Sequence, residues 1–209
     1  MSKRMTDITN TPSRSANARR FGTGAAWGAV ATLVLLAGAG PARAAAKVEW
    51  GANGEAARRA LAEHELRMLD GKTTTLSAMR GEVVVVNFWA SWCKPCRREL
   101  PALNALNTEL AKQGGNVVAV SIDEQRDNVT RFARANGLSL PIAHDGPDGL
   151  ARLLDLKHVP FTIILDRSGQ VAFSTSGADG HALESISAAA RQLVARAPVA
   201  SDAPAGGTP

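Results

Sequence analysis

The run "EVVVVNFW", residues 82–89, is apolar almost throughout and shows no alternation. A short continuous apolar stretch rich in β-branched residues predicts a central strand buried on both faces. "NVVAVSID" at 116–123 predicts a second strand of the same kind. Between them, Leu100, Leu103, Leu106 and Leu110 recur at helical spacing and predict a helix over 94–113, which Pro101 should kink near its start. "RDNVTRFARANG" predicts a short helix ending at Gly137, "LPIAHD" a weaker third strand, and "GPDGLARLLDLKH" another helix with Pro147 in its first turn. "FTIILD", a turn at 167–170 and "VAFSTS" form a hairpin; residues 180–196 follow as an amphipathic helix through Leu183, Ile186, Ala190 and Val194. Ahead of all these, "HELRML", Asp70-Gly71 and "KTTTL" read as an N-terminal β-hairpin, because Asp-Gly supplies the positive φ angles of a tight turn. The expected class is therefore α/β, with one central mixed sheet flanked by helices over residues 64–196. Residues 47–63 give no firm pattern and read as a linker, and "APVASDAPAGGTP" at 197–209 reads as a disordered tail.

Charge adds a division of the chain that the apolar pattern does not show. The net charge of +5 over 209 residues lies wholly in residues 1–46, where Lys3, Arg4, Arg14, Arg19, Arg20 and Arg43 face only Asp7. Residues 47–209 carry 18 basic and 18 acidic side chains, so the body lacks the long-range basic footprint of a nucleic-acid binder. The leader itself has the parts of an export signal: a basic, Ser/Asn-rich start, the uncharged "FGTGAAWGAVATLVLLAGAG", and then "PARAAAK", which offers small residues in the A-x-A pattern. Cleavage after Ala44 or Ala46 fits this layout, and an uncleaved membrane anchor is the alternative, since the uncharged run is about the spanning length. Either way the body is expected outside the cytoplasmic membrane, in the periplasm or anchored to the inner membrane and facing it.

Export changes the meaning of the cysteines. Cys93 and Cys96 are the only two in the chain. In an oxidising compartment paired cysteines usually form structural bridges, but a bridge across two residues removes little unfolded-state entropy. Cys93 falls between the predicted strand and the predicted helix, where free backbone N–H groups and the helix dipole favour thiolate over thiol. Lys94 and the Arg97-Arg98 pair add positive charge in the same sense, and Pro95 stiffens the intervening dipeptide. Cys96, one turn further in, is placed to resolve a mixed disulfide formed at Cys93. A zinc site would need further ligands, and His64, His144, His158 and His181 are scattered; no metal ligand set and no cofactor is expected. A Cu(I) site on the two thiols and a purely structural bridge are the readings that compete with redox exchange.

The stretch "VVVVNFWASWCKPCRRELPAL" resembles the thioredoxin superfamily, and in particular its exported thioredoxin-like members of the TlpA/ResA/CcmG type. The likeness runs from about Glu65 to Arg196. It implies a thioredoxin-like fold and an enzyme that exchanges protein thiols and disulfides, most simply a monomeric reductase of the kind used in cytochrome c or copper-site assembly. Its partners would be protein disulfide or thiol substrates and a membrane thiol-transfer electron donor. A disulfide-donating oxidant and a copper chaperone are the alternatives, and a peroxiredoxin is disfavoured by the Trp-Cys-x-x-Cys setting. "HVPFTIILDRSGQV" is similar to the family segment with the cis-proline, which maps to Pro160 and would leave the backbone of Val159 free to pair with substrate. Trp92 is expected in an exposed docking surface and Trp89 in the core. Thioredoxin's buried aspartate is replaced by Asn87, so this proton acceptor is missing. In the exported branch an acidic residue follows the next strand, and the spacing to Phe132 and Gly137 selects Glu124, with Asp123 as the neighbour to exclude. Phe161, where the branch often has threonine, makes the expected substrate groove more apolar.

Overall fold

All seven residues of the strand β3 (Val83–Trp89) are buried, and the rest of the domain is arranged on its two faces. The computed structural model describes residues 54–177 and 180–196; the leader, residues 47–53 and the tail at 197–209 lie outside the described residues. Strand β4 (Gly115–Ser121) pairs parallel to β3, and β5 (Ile142–His144) pairs parallel to β4. On the other side β6 (Phe161–Leu165) runs antiparallel to β3, and β7 (Val171–Ser176) antiparallel to β6. The order β5-β4-β3-β6-β7 makes a five-stranded mixed sheet. A separate two-stranded hairpin, β1 (Leu66–Arg67) with β2 (Thr73–Thr74), turns at Gly71, whose φ of 91° a side chain would oppose.

Alternation along β3 creates two cores. Val83, Val85 and Trp89 point to the layer that holds Cys93, Cys96, Leu100, Leu103, Leu106 and Leu110 of α2 (Lys94–Leu110), together with Val129 and Ala133 of α3 (Arg126–Ala135) and Ile186, Ala190 and Val194 of α5 (Gly180–Val194). Val84, Val86 and Phe88 point to the opposite layer, closed by Leu66, Leu76 and the short helix α4 (Leu150–Leu153). Asn87 follows the first set by parity. It is buried, and its amide donates to Thr162 Oγ1 across the β3–β6 ladder at 3.0 Å. This is the thioredoxin-like fold that the resemblance implied.

Two expectations need correcting. Residues 47–63 are not all linker: α1 (Gly54–Glu63) is a helix whose Ala57 and Leu61 are buried and which packs against α4. His64, directly after it, holds Asp145 Oδ1 at 2.6 Å and ties the helix to the β5–α4 loop. The helix predicted around Pro147 is also shorter than its apolar pattern. Asp145 accepts the N–H of Leu150 at the start of α4, and residues 147–149 form a turn and bend instead of helix. Among the described residues, no helix is long and apolar enough to cross a membrane.

Candidate active site

The site lies at the carboxyl end of β3, beside the end of β4. Three backbone bonds shape the turn out of the strand: Ile122 N–H donates to Trp89 O (2.9 Å), Cys93 N–H to Ala90 O (3.1 Å) and Arg97 N–H to Cys93 O (3.1 Å). Asp123, buried just beyond β4, fixes the middle of the turn. Its carboxylate accepts the Ser91 N–H at 2.8 Å, the Ser91 hydroxyl at 2.6 Å and the Ser121 hydroxyl at 2.7 Å. The result is a rigid lead-in that presents Cys93 as the N-cap of α2.

Cys93 and Cys96 are joined by a disulfide. Cys93 Sγ accepts the backbone N–H of Cys96 at 3.2 Å, the capping bond a serine hydroxyl would ordinarily supply. Cys93 is 5 % exposed and Cys96 1 %, so Cys93 is the more accessible residue of the two. Lys94 is exposed and Pro95 half-buried in the first turn of the helix. The Val159–Pro160 bond is cis, and Val159 O lies 3.7 Å from Cys93 Sγ. Trp92, 67 % exposed, stands beside the pair at the surface, while Trp89 is fully buried and packs on Phe132 with ring centroids 5.3 Å apart.

Glu124 does not join this group. It is exposed on the loop between β4 and α3, and the buried carboxylate of that loop, Asp123, is taken up by the serines. The expectation that Glu124 sits under Cys96 is therefore corrected: Glu124 is exposed, and the carboxylate that turns inward is its neighbour Asp123, held by Ser91 and Ser121.

The carboxylate that does share the buried face of Cys96 is Glu99. It stands one helical turn along α2, at the i+3 position, and is only 4 % exposed. Neither carboxylate oxygen has a hydrogen-bond partner. Burial among apolar groups pushes its pKa up to about 7, with the neighbouring Asn87 amide acting weakly in the opposite sense. The sequence carried a signal for it. Cys96, Glu99, Leu103, Leu106 and Leu110 are spaced by three and four residues, so position 99 falls on the inward stripe. Trp89 Nε1 and Asn87 Oδ1 are also buried without hydrogen-bond partners. Among the described residues, no group of three or more His, Cys, Asp or Glu side chains is placed to hold a metal ion.

The sequence profile of the AhpC/TSA family matches residues 57–174, more than half of the chain. Over 103 residues the chain is 39% identical to thiol-disulfide oxidoreductase ResA of Geobacillus thermodenitrificans, a match that covers 49% of this chain and 59% of that protein. Among solved structures, the chain is similar to a secreted thiol-disulfide isomerase from Corynebacterium glutamicum, with 29% identity and a TM-score of 0.58 over 65% of this chain and 86% of that one. It is also similar to a peroxiredoxin Q from Xanthomonas campestris, with 26% identity and a TM-score of 0.57 over 65% and 94% of the two chains.

Proposed function

This chain belongs to the AhpC/TSA family, and on that premise we propose that it is a thiol–disulfide oxidoreductase with Cys93 and Cys96 as its redox couple. One observation carries the reading. Cys93 Sγ caps α2, receives the Cys96 N–H, and lies 3.7 Å from the carbonyl oxygen of Val159. A sulfur in that position is stabilised as thiolate when the bond is open. The fold also carries a peroxiredoxin, so the fold by itself does not choose; the second cysteine one turn away, already bonded to the first, favours exchange.

In the reducing direction, the Cys93 thiolate attacks one sulfur of a substrate disulfide, and the other sulfur leaves as a thiolate that takes up a proton. The Cys96 thiol gives its proton to the Glu99 carboxylate and attacks Cys93 in the mixed disulfide. That step releases the second substrate thiolate and forms the Cys93–Cys96 bond. Two electrons pass from the cysteine pair to the substrate, and an external dithiol must restore them. An acid with a pKa near 7 accepts and returns such a proton at neutral pH without a large energetic gap in either direction. Substrate backbone would pair with Val159 beside Pro160, and Trp92 would cover it from the exposed side. Lys94 and Pro95 hold the first turn of α2 in a form that favours the thiolate.

The finer assignment rests on the leader and on likeness to ResA. The protein is a reductase of protein disulfides, exported to the periplasm or held there by its leader, and recharged by a membrane thiol-transfer donor. The chain spans about six-tenths of the length of the ResA protein it matches, so substrates in cytochrome c or copper-site assembly are part of the proposal. Equilibrating the protein in glutathione buffers tests the direction. A potential near about −270 mV supports a reductase, and one near about −120 mV makes it an oxidant instead. Stoichiometric Cu(I) retention by the reduced pair, with no exchange activity, would replace both with a copper carrier.

A further inference from the structure

Lys94, Arg97 and Arg98 occupy the i, i+3 and i+4 positions of the first turns of α2, so they share one exposed face next to Cys93. Local electrostatics oppose this arrangement twice. Cations at a helix N-terminus work against the dipole, and like charges at these spacings repel. The first turn holds no acidic residue to offset them, and among the described residues none of the three takes part in an ion pair, whereas Arg59, Lys72, Arg152, Lys157 and Arg191 all do. Together with Phe132 of α3 and Asn136 at its C-terminal cap, the three cations line an open groove of about 380 Å³. The Phe132 ring is held from two directions. Trp89 holds one side of that ring from the core, and the Arg97 guanidinium lies over it, 5.6 Å from the centroid. A guanidinium held over a ring face makes no hydrogen bond there, so its N–H donors stay available to an anion.

We propose that this groove docks an acidic segment of the protein substrate, one carrying Asp or Glu close in sequence to the cysteine that Cys93 attacks. The inference rests on the thiol-exchange reading above and names the kind of partner that the site selects. The charge calls for an anion, because three cations without ion-pair partners line the groove, and in a protein substrate the side chains of Asp and Glu supply the carboxylate that pairs bidentately with Arg. The spacing sets the register. Arg97 and Arg98 lie four and five residues along the helix from Cys93, about 6–8 Å at 1.5 Å per residue. An extended chain covers that in about two to three residues. Thiolate stabilisation explains Lys94, which adjoins the sulfur, but it does not explain why Arg98, Phe132 and Asn136 face one another around a groove.

The test uses the reduced full-length protein and three synthetic peptides, each with one cysteine activated as an uncharged thiopyridyl disulfide. The peptides carry Glu, Gln or Lys at the positions two and three residues from the cysteine. Dipyridyl disulfide measures the intrinsic reactivity of Cys93. The Glu peptide is expected to react about tenfold faster than the Gln peptide at low salt, and the Lys peptide more slowly than either. The Glu:Gln ratio should fall toward one in about 1 M salt, where the screening length is about 3 Å. In the R97Q/R98Q variant the same ratio should fall toward one at low salt. Because any change in thiolate content scales both peptides alike, the ratio isolates docking from reactivity. Equal rates for the Glu and Gln peptides, or a ratio unmoved in the variant, overturn the docking site while leaving exchange intact. Failure to react even with dipyridyl disulfide overturns the exchange reading and the docking site with it.

Discussion

Glu99 stands one turn beyond Cys96 on the buried face of α2, and neither of its carboxylate oxygens is hydrogen-bonded. A carboxylate in that position is unfavourable for folding whenever it is charged, which gives it a pH signature. Its folded-state pKa is raised from 4.5 to about 7. Below the lower value both folded and unfolded chains hold the proton, and Glu99 contributes nothing. Between the two values the unfolded chain ionises while the folded protein keeps its proton, so stability falls as pH rises. Above about 7 both are ionised and the full penalty remains, on the order of 3 kcal/mol for a shift of this size.

Glu99→Gln should therefore raise the urea midpoint of the oxidised protein at about pH 8, by up to roughly 3 kcal/mol in free energy, and leave it near the parent value at about pH 4. A variant whose stability parallels the parent at both pH values would show that Glu99 is not buried as a carboxylic acid.

The same substitution should cost activity. If Glu99 takes the Cys96 proton, its amide cannot, and the resolving step should slow by about a hundredfold. The pH–rate profile of that step should also lose its inflection near 7. Stopped-flow release of a thiol from a preformed mixed disulfide at Cys93 measures the step directly. A slower rate with the inflection retained would make Glu99 a packing residue and leave the proton to another group.

The order of the cysteines gives a second kinetic prediction. Cys93 caps the helix and is the more exposed residue; Cys96 lies behind it at 1 % exposure. Cys96→Ser should accumulate mixed disulfides with protein substrates, visible on non-reducing gels, and Cys93→Ser should accumulate almost none. The reverse pattern would exchange the two roles.

Much of this was legible in the sequence because the dominant signals were large and apolar. The unbroken run of β3 requires two covered faces, and Leu100, Leu103, Leu106 and Leu110 require one of the covers to be a helix. The cysteine pair at their junction then follows from chain order alone. What was missed shares a different property. Helix α1 buries only Ala57 and Leu61, too little apolar surface to stand out from an Ala/Glu-rich stretch. Glu99 lies on the inward stripe of α2, but a charged residue is by default assigned to solvent, and its burial is visible only once the sheet covers it. Glu124 and Asp123 are adjacent, and spacing counted from α3 cannot tell which of two neighbours turns inward. Hydrogen-bond partners can, and Ser91 and Ser121 select Asp123.

That selection makes Asp123 the support of the active-site turn, and it can be tested as one. Its buried carboxylate accepts one backbone N–H and two hydroxyls. Asp123→Ala leaves all three donors without an acceptor; the hydroxyls can rotate away, but the Ser91 N–H is fixed by the backbone. At about 1–3 kcal/mol for each buried unmet group, the loss should be roughly 3 kcal/mol. Asp123→Asn keeps one oxygen for the Ser91 N–H and turns an amide donor toward a serine hydroxyl, which can accept as well as donate. It should cost about 1 kcal/mol. Because Ser91 lies two residues before Cys93, the Ala variant should also lose protection of the Cys93 amide in hydrogen exchange, with the Asn variant largely retaining it. Equal destabilisation by Ala and Asn would mean that the negative charge, rather than the hydrogen bonds, holds the turn.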